Sequence, residues 1–138
     1  MTPGSVAGGP RRLWLVRHAT PLIEPGVCYG TLDVAADARA TRAAAERLAA
    51  ALPPRACVRS STLQRCEQLA QVLQGLQPDL IIKRDARLRE MNFGRWEGLS
   101  WDAIGPAALQ AWTDDFSCYA PGCGESVSAL GWRLRDGD

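Results

Sequence analysis

Short apolar runs alternate with longer amphipathic stretches along the first two thirds of the chain, and this alternation restricts the fold more than any other feature. LWLV at 13–16 is a continuous apolar run, as expected for a strand covered on both faces. DARATRAAAERLAAAL at 37–52 predicts a helix, with Asp37 as N-cap and Pro53 and Pro54 as the stop. ACVRSS at 56–61 is a second strand candidate. The following TLQRCEQLAQVLQGL places Leu63, Cys66, Ala70, Leu73 and Leu76 near helical spacing, weakens at Gly75 and closes at Pro78. DLIIKRDARL at 79–88 gives a third strand through Leu80, Ile81 and Ile82. Strands alternating with helices predict βαβ units and a mostly parallel sheet.

In such sheets ligands bind beyond the carboxyl ends of the strands. Arg17 and His18 close the first apolar run, and Ser60 and Ser61 close the second, so both ends point to one rim. His18 is the only histidine in the 138 residues. After residue 88 the pattern changes. REMNFGRWEGLSW is loop-like, PAALQAW at 106–112 and ESVSALGWRLRD at 125–136 read as short helices, the second with Ser126 near its start, and DDFSCYAPGCGES is a turn-rich connection.

Composition excludes several classes. A net charge of +1 lacks the basic excess of a nucleic-acid-binding surface, and no apolar stretch approaches the roughly 18–20 residues of a membrane span. The five cysteines (Cys28, Cys57, Cys66, Cys118 and Cys123) form no C-x-x-C pair, and with one histidine they predict free thiols in a reducing cytoplasm rather than a zinc site. MTPGSVAGGPRR at 1–12 reads as a disordered leader. Arg39, Arg42 and Arg47 are expected on a solvated helix face. Arg84, Arg87 and Arg89 flank the third strand, where surface placement is expected and a reach to the phosphate rim is the alternative for one of them. Trp14, Trp101, Trp112 and Trp132 are expected in packing, while Trp96 is the one aromatic to place against a pocket.

An arginine beside a histidine at a strand end suits phosphoryl transfer. A neutral imidazole can attack phosphorus and carry it covalently, and a guanidinium fork matches two phosphate oxygens. One arginine does not hold a transferring group in line, and Arg65, just after the second strand, is the candidate second donor. A departing alkoxide needs a proton; Glu90 and Glu97, after the third strand, can supply it.

LVRHATP, CYGTLDV, SSTLQRCEQLA, LREMNFGRWEG and PGCGES, in that order, resemble the histidine phosphatase superfamily over about residues 12–135, and within it the α-ribazole phosphatases of cobalamin biosynthesis. The resemblance implies a three-layer α/β/α fold with a mostly parallel, phosphoglycerate mutase-like sheet. It implies His18 as phosphorylated nucleophile, Arg17 and Arg65 as the phosphoryl clamp, and Glu90 as the acid that protonates the leaving group and then activates water, leaving Glu97 as a structural partner within its loop. Tyr29, Gly30 and Asp33 would line the substrate pocket, Gly30 serving equally as a plain turn. No metal or other cofactor is implied. The substrate would be a small phosphorylated metabolite such as α-ribazole 5′-phosphate, handled in the cytoplasm without nucleic acid or membrane.

The chain departs from the family pattern in one respect. Members carry a second catalytic histidine on a strand near the C-terminus, and none is present here. Residues 13–138 are therefore expected to form a histidine phosphatase domain lacking its C-terminal part, with LWLVRHA as an exposed apolar edge through which copies would associate. Three functional readings follow: a phosphatase for α-ribazole 5′-phosphate, one for other small phosphomonoesters, and an impaired or inactive remnant that binds phosphate.

Overall fold

The computed structural model describes residues 11–135. The expected leader lies, for residues 1–10, outside the described residues, as do residues 136–138. The fold is α/β. Strands β1 (Cys57–Ser60) and β2 (Ile81–Arg84) pair in parallel, with Cys57 opposite Ile81 and Ser60 opposite Arg84. Helix α1 (Ala38–Ala51) packs against α2 (Gln64–Leu76), which connects the two strands.

Each helix begins for a local reason. The Asp37 side chain accepts the Ala40 N–H at 2.8 Å, the cap expected from sequence. Helix α2 has no cap from its own sequence neighbours. Its first N–H, on Gln64, instead donates to the Asp33 carboxylate at 2.7 Å, and Gln64 Nε2 donates to the Asp33 carbonyl at 2.6 Å. A negative charge at that helix start also complements the peptide dipoles. Asp33 thus caps a distant helix, a role different from the pocket lining expected of it.

The core runs through Ala36, Ala45, Leu63, Leu69, Leu73 and Leu80 and continues to Cys28, Met91 and Trp96. After β2 the chain makes 3₁₀ turns at Ala86–Leu88 and Gly94–Trp96, then α3 (Trp101–Ile104), α4 (Pro106–Asp114), a third 3₁₀ turn at Pro121–Cys123, and α5 (Val127–Arg135). Trp96, Trp101, Trp112 and Phe93 pack edge-to-face with ring centroids 5.8–6.5 Å apart. Trp96 therefore belongs to an aromatic cluster and not to a pocket. Trp101 and Trp112 pack as expected, whereas Trp14 and Trp132 are exposed, the latter beneath the Arg135 guanidinium.

The first apolar run does not form the strand expected of it at 13–16. Residues 13–16 form no ladder, and Leu13 and Leu15 are 84% and 89% exposed. A continuous apolar run states that both faces want cover, but its periodicity does not name the covering element. The chain becomes anchored only beyond it, where Pro21 bridges Ala36 and the Asp37 N–H donates to the Thr20 carbonyl. Among the described residues no helix is long and apolar enough to cross a membrane.

Candidate functional site

Strand β1 ends at Ser60, and the buried Ser60 and Ser61 turn the chain into α2, Ser61 Oγ accepting the Leu63 N–H at 3.2 Å. That turn puts Arg65 in the first turn of α2, only 1% exposed. Its Nη1 donates to the Leu32 carbonyl at 2.8 Å and its Nη2 to the Gly30 carbonyl at 2.5 Å. The Tyr29 ring lies 5.0 Å from its Cζ, a favourable cation–π arrangement. A guanidinium carries five N–H donors, and these carbonyls take two. The buried Nε has no partner among the described residues, which leaves donors suited to an anion.

The loop supplying those carbonyls is held by Glu97. Its carboxylate accepts the N–H groups of Gly30 and Thr31 at 2.8 Å each and of Phe93 at 3.1 Å, with the Thr31 hydroxyl at 3.3 Å. Glu97 thus ties the 30–32 loop to its own loop, the structural part expected of it. Gly30 is required here by space. A Cβ would meet the Met91 carbonyl oxygen at 1.9 Å and Phe93 Cδ2 at 2.7 Å. Gly30 and Tyr29 do not line the cavities described below; both support Arg65 from behind, Gly30 through its carbonyl and Tyr29 through its ring.

His18 sits at the front of this platform, its ring centroid 6.5 Å from that of Tyr29. Nδ1 lies 2.8 Å from the Ala19 carbonyl. A carbonyl only accepts, so Nδ1 carries the proton and Nε2 the free lone pair. Burial pushes the imidazole below its ordinary value; the Ala19 bond opposes this, the Arg65 and Arg17 charges add to it, and Glu90 opposes it. The ring is therefore biased toward the neutral, nucleophilic form.

His18, Arg65 and Glu90 line one cavity of about 220 Å³, with Cys66, Arg89 and Leu63 among the other walls. Glu90 follows β2 and its 3₁₀ turn, and its Oε1 accepts the Met91 N–H at 2.8 Å. Arg65 and Glu90 thus arrive from just beyond the carboxyl ends of the two parallel strands, the rim expected from the alternation. Arg17 is solvent-exposed and is not among the lining residues; its charge reaches the imidazole without walling the cavity. Glu90 and Arg89 also form one side of an adjoining polar cavity of about 470 Å³ with Thr31, Asn92, Glu125 and Arg133. Among the described residues no cluster of three His, Cys, Asp or Glu side chains could hold a metal ion.

Several wall residues were not singled out from sequence. Cys66, expected on a helical face and as a free thiol, lines the His18 cavity, its thiol pushed up by burial. Arg89 is exposed, as expected, and also reaches the rim of both cavities. Asn92 accepts the Gly94 N–H at 2.8 Å through Oδ1; its place before the F-G turn was the available signal.

Residues 13–137 match the histidine phosphatase superfamily (branch 1). Over 79 residues, 55% of the chain, the sequence is 39% identical to glucosyl-3-phosphoglycerate phosphatase of Mycobacterium tuberculosis, a match covering 34% of that protein. The solved mycobacterial glucosyl-3-phosphoglycerate phosphatase with inorganic phosphate superposes with a TM-score of 0.71 at 32% identity, covering 86% of this chain and 56% of that one. A Thermus thermophilus protein superposes with a TM-score of 0.69 at 30% identity, covering 88% and 67%. The match thus spans about a third of the length of the curated relatives, and the superposition little more than half of the solved mycobacterial enzyme.

Proposed function

The chain belongs to the histidine phosphatase superfamily, and on that premise we propose that it hydrolyses phosphomonoesters through a phosphohistidine at His18. One observation carries this reading: an imidazole with its Nδ1 proton tied down and Nε2 free shares a cavity with a buried arginine and a carboxylate. In the first step Nε2 attacks phosphorus, the P–O bond to the alcohol breaks, and Glu90 gives its proton to the departing oxygen. In the second step the Glu90 carboxylate takes a proton from water, whose oxygen attacks phosphorus. The P–N bond breaks, phosphate leaves, and His18 returns to its neutral state. Arg65 holds the phosphoryl oxygens through its remaining donors, and Arg17 adds positive charge from the exposed side.

Two substrates fit this chemistry. The order and wording of the motifs support α-ribazole 5′-phosphate, a step in cobalamin biosynthesis; the similarity to mycobacterial enzymes supports glucosyl-3-phosphoglycerate. Both are phosphomonoesters of small polar metabolites. A second reading, phosphate binding without turnover, is favoured by His18 being the sole imidazole of the chain.

The test is phosphate release from a panel containing both esters, with His18→Ala as control. Turnover is expected from the parent chain and a loss on the order of 10⁶ in the variant, as for other covalent nucleophiles. Acid-labile ³²P on the parent supports the phosphohistidine. Calorimetric phosphate binding with neither label nor turnover would establish the second reading instead, and unchanged turnover in His18→Ala would remove the nucleophile assignment.

A further inference from the structure

Glu90 stands on a loop whose backbone must be held still for its carboxyl group to meet a leaving oxygen, and the holding group comes from the far end of the chain. Arg133, half-buried on α5, donates through Nη1 to the carbonyls of Arg87 at 2.5 Å and Arg89 at 2.9 Å, and through Nη2 to that of Glu90 at 3.4 Å. Its Nε and Nη2 grip the Glu125 carboxylate at 2.8 and 3.0 Å. All five donors of the guanidinium are thereby engaged. Glu125 closes the ring from the other side: its Oε1 accepts the Asn92 N–H at 2.9 Å, and its own N–H donates to the Asn92 carbonyl at 2.7 Å. The segment 87–92 is thus fastened on both flanks of Glu90 by one ion pair.

We propose that Arg133, held by Glu125, is a positioning residue that fixes the backbone of Glu90 and so aims its carboxyl group into the His18 cavity. The inference rests on the phosphatase reading above. The geometry requires a planar fork: one group must serve three carbonyls from two nitrogens while its remaining edge faces a carboxylate. A lysine ammonium has three donors radiating from one point and does not reproduce this arrangement. The Glu125 carboxyl is held below the usual carboxylate range, first by its bond to Arg133, so it stays ionised at neutral pH. With its own backbone fastened and Oε1 on the Met91 N–H, Glu90 keeps Oε2 for proton transfer.

The test compares two esters in Arg133→Lys, using kcat/KM so that only the first chemical step is read. Glycerol phosphate has a poor alkoxide leaving group and depends on the acid; p-nitrophenyl phosphate departs without a proton. Arg133→Lys is expected to lose about 10²-fold on glycerol phosphate, the scale of a small misplacement of a catalytic group, and only a factor of a few on p-nitrophenyl phosphate. Glu90→Gln is expected to show the same selectivity, more strongly. Glu125→Gln is the second variant, expected to show the selectivity more weakly, and it carries the comparison if Arg133→Lys does not fold. Hydrogen exchange at amides 88–92 should rise in both positioning variants while α1 and α2 stay protected.

Equal losses on the two esters, or unchanged exchange at 88–92, would overturn the positioning role. A parent chain inactive on these two esters and on the metabolite panel above would instead sink the phosphatase reading, and the fastening of the loop would then be decided by the exchange measurement alone.

Discussion

Two regions that meet at His18 are built in opposite ways. Behind the imidazole, segments 28–33, 63–68 and 91–99 are cross-linked by bonds between residues 31 to 67 positions apart in sequence, converging on Glu97 and Arg65. In front, residues 13–17 are exposed, and the hydrogen bond of His18 itself is to its immediate neighbour. The difference teaches where the precision of the site resides. The group that would receive a phosphoryl oxygen, Arg65, is set in a buried, cross-linked network that leaves its Nε unpartnered among the described residues, whereas the nucleophile is set by the anchor that follows it at Thr20–Leu22 and by the cavity it enters.

The largest effect should come from removing the network's centre. Glu97→Gln replaces one acceptor oxygen with an NH₂ that faces N–H groups now served by a carboxylate. Leaving part-buried donors unmet is expected to cost about 3 kcal/mol, read as a lower urea midpoint with an unchanged slope. An unaltered midpoint would break the contrast between the two regions.

A matched pair of glycines sharpens the same point. Gly30→Ala drives a Cβ into the Met91 carbonyl and is expected to cost about 3 kcal/mol. Gly75→Ala, in the last turn of α2 with nothing within 4 Å of the added atom, is expected to stabilise by about 0.5–1 kcal/mol. Opposite signs at the two positions confirm that space around residue 30, and not glycine content, shapes the platform. Equal effects would deny it.

This contrast also explains what the sequence disclosed. His18 is legible as the sole histidine, beside Arg17 at the end of an apolar run, and Arg65 as a second guanidinium just past β1. The residue pattern leaves Glu90 and Glu97 open as the acid, and only the motif resemblance separates them. Helix α1 was legible because its cap, Asp37, is adjacent to it. The cap of α2 was not, since Asp33 reaches it from 31 residues away and only the folded loop brings the two together. Arg133 was hidden for the same reason: its partners, at 87–90, lie more than 40 residues upstream. The sequence does not disclose the fate of 13–16, because an apolar run reports a wish for burial, while pairing depends on another strand being alongside.

A smaller effect concerns the imidazole. Its folded value lies below 6.5, chiefly through burial. As pH falls through 6.5 the unfolded chain takes up the proton first, so stability is full above that pH and declines below it, until the folded form is protonated as well. As the sole histidine, His18 gives an unambiguous NMR titration, expected to have its midpoint under 6.5. Arg17→Gln removes one of the charges that lower it and should move the midpoint upward, carrying the acid limb of any kcat/KM profile in the same direction. A midpoint at or above 6.5 would remove the bias toward the neutral imidazole that burial is argued to supply.

The smallest effect is expected at the front. Leu15→Ser alters a side chain that is 89% exposed, and such substitutions usually change stability by under about 0.5 kcal/mol. Amides at 13–17, lacking ladder partners, should exchange with almost no protection, while those of Gly30, Thr31 and Phe93, donating to Glu97, exchange only through larger openings. Strong protection at 13–17 together with a multi-kcal/mol loss in Leu15→Ser would mean that in solution the apolar run is covered. The precision of the nucleophile would then come from whatever covers it, and the two regions would be alike in how they hold their groups.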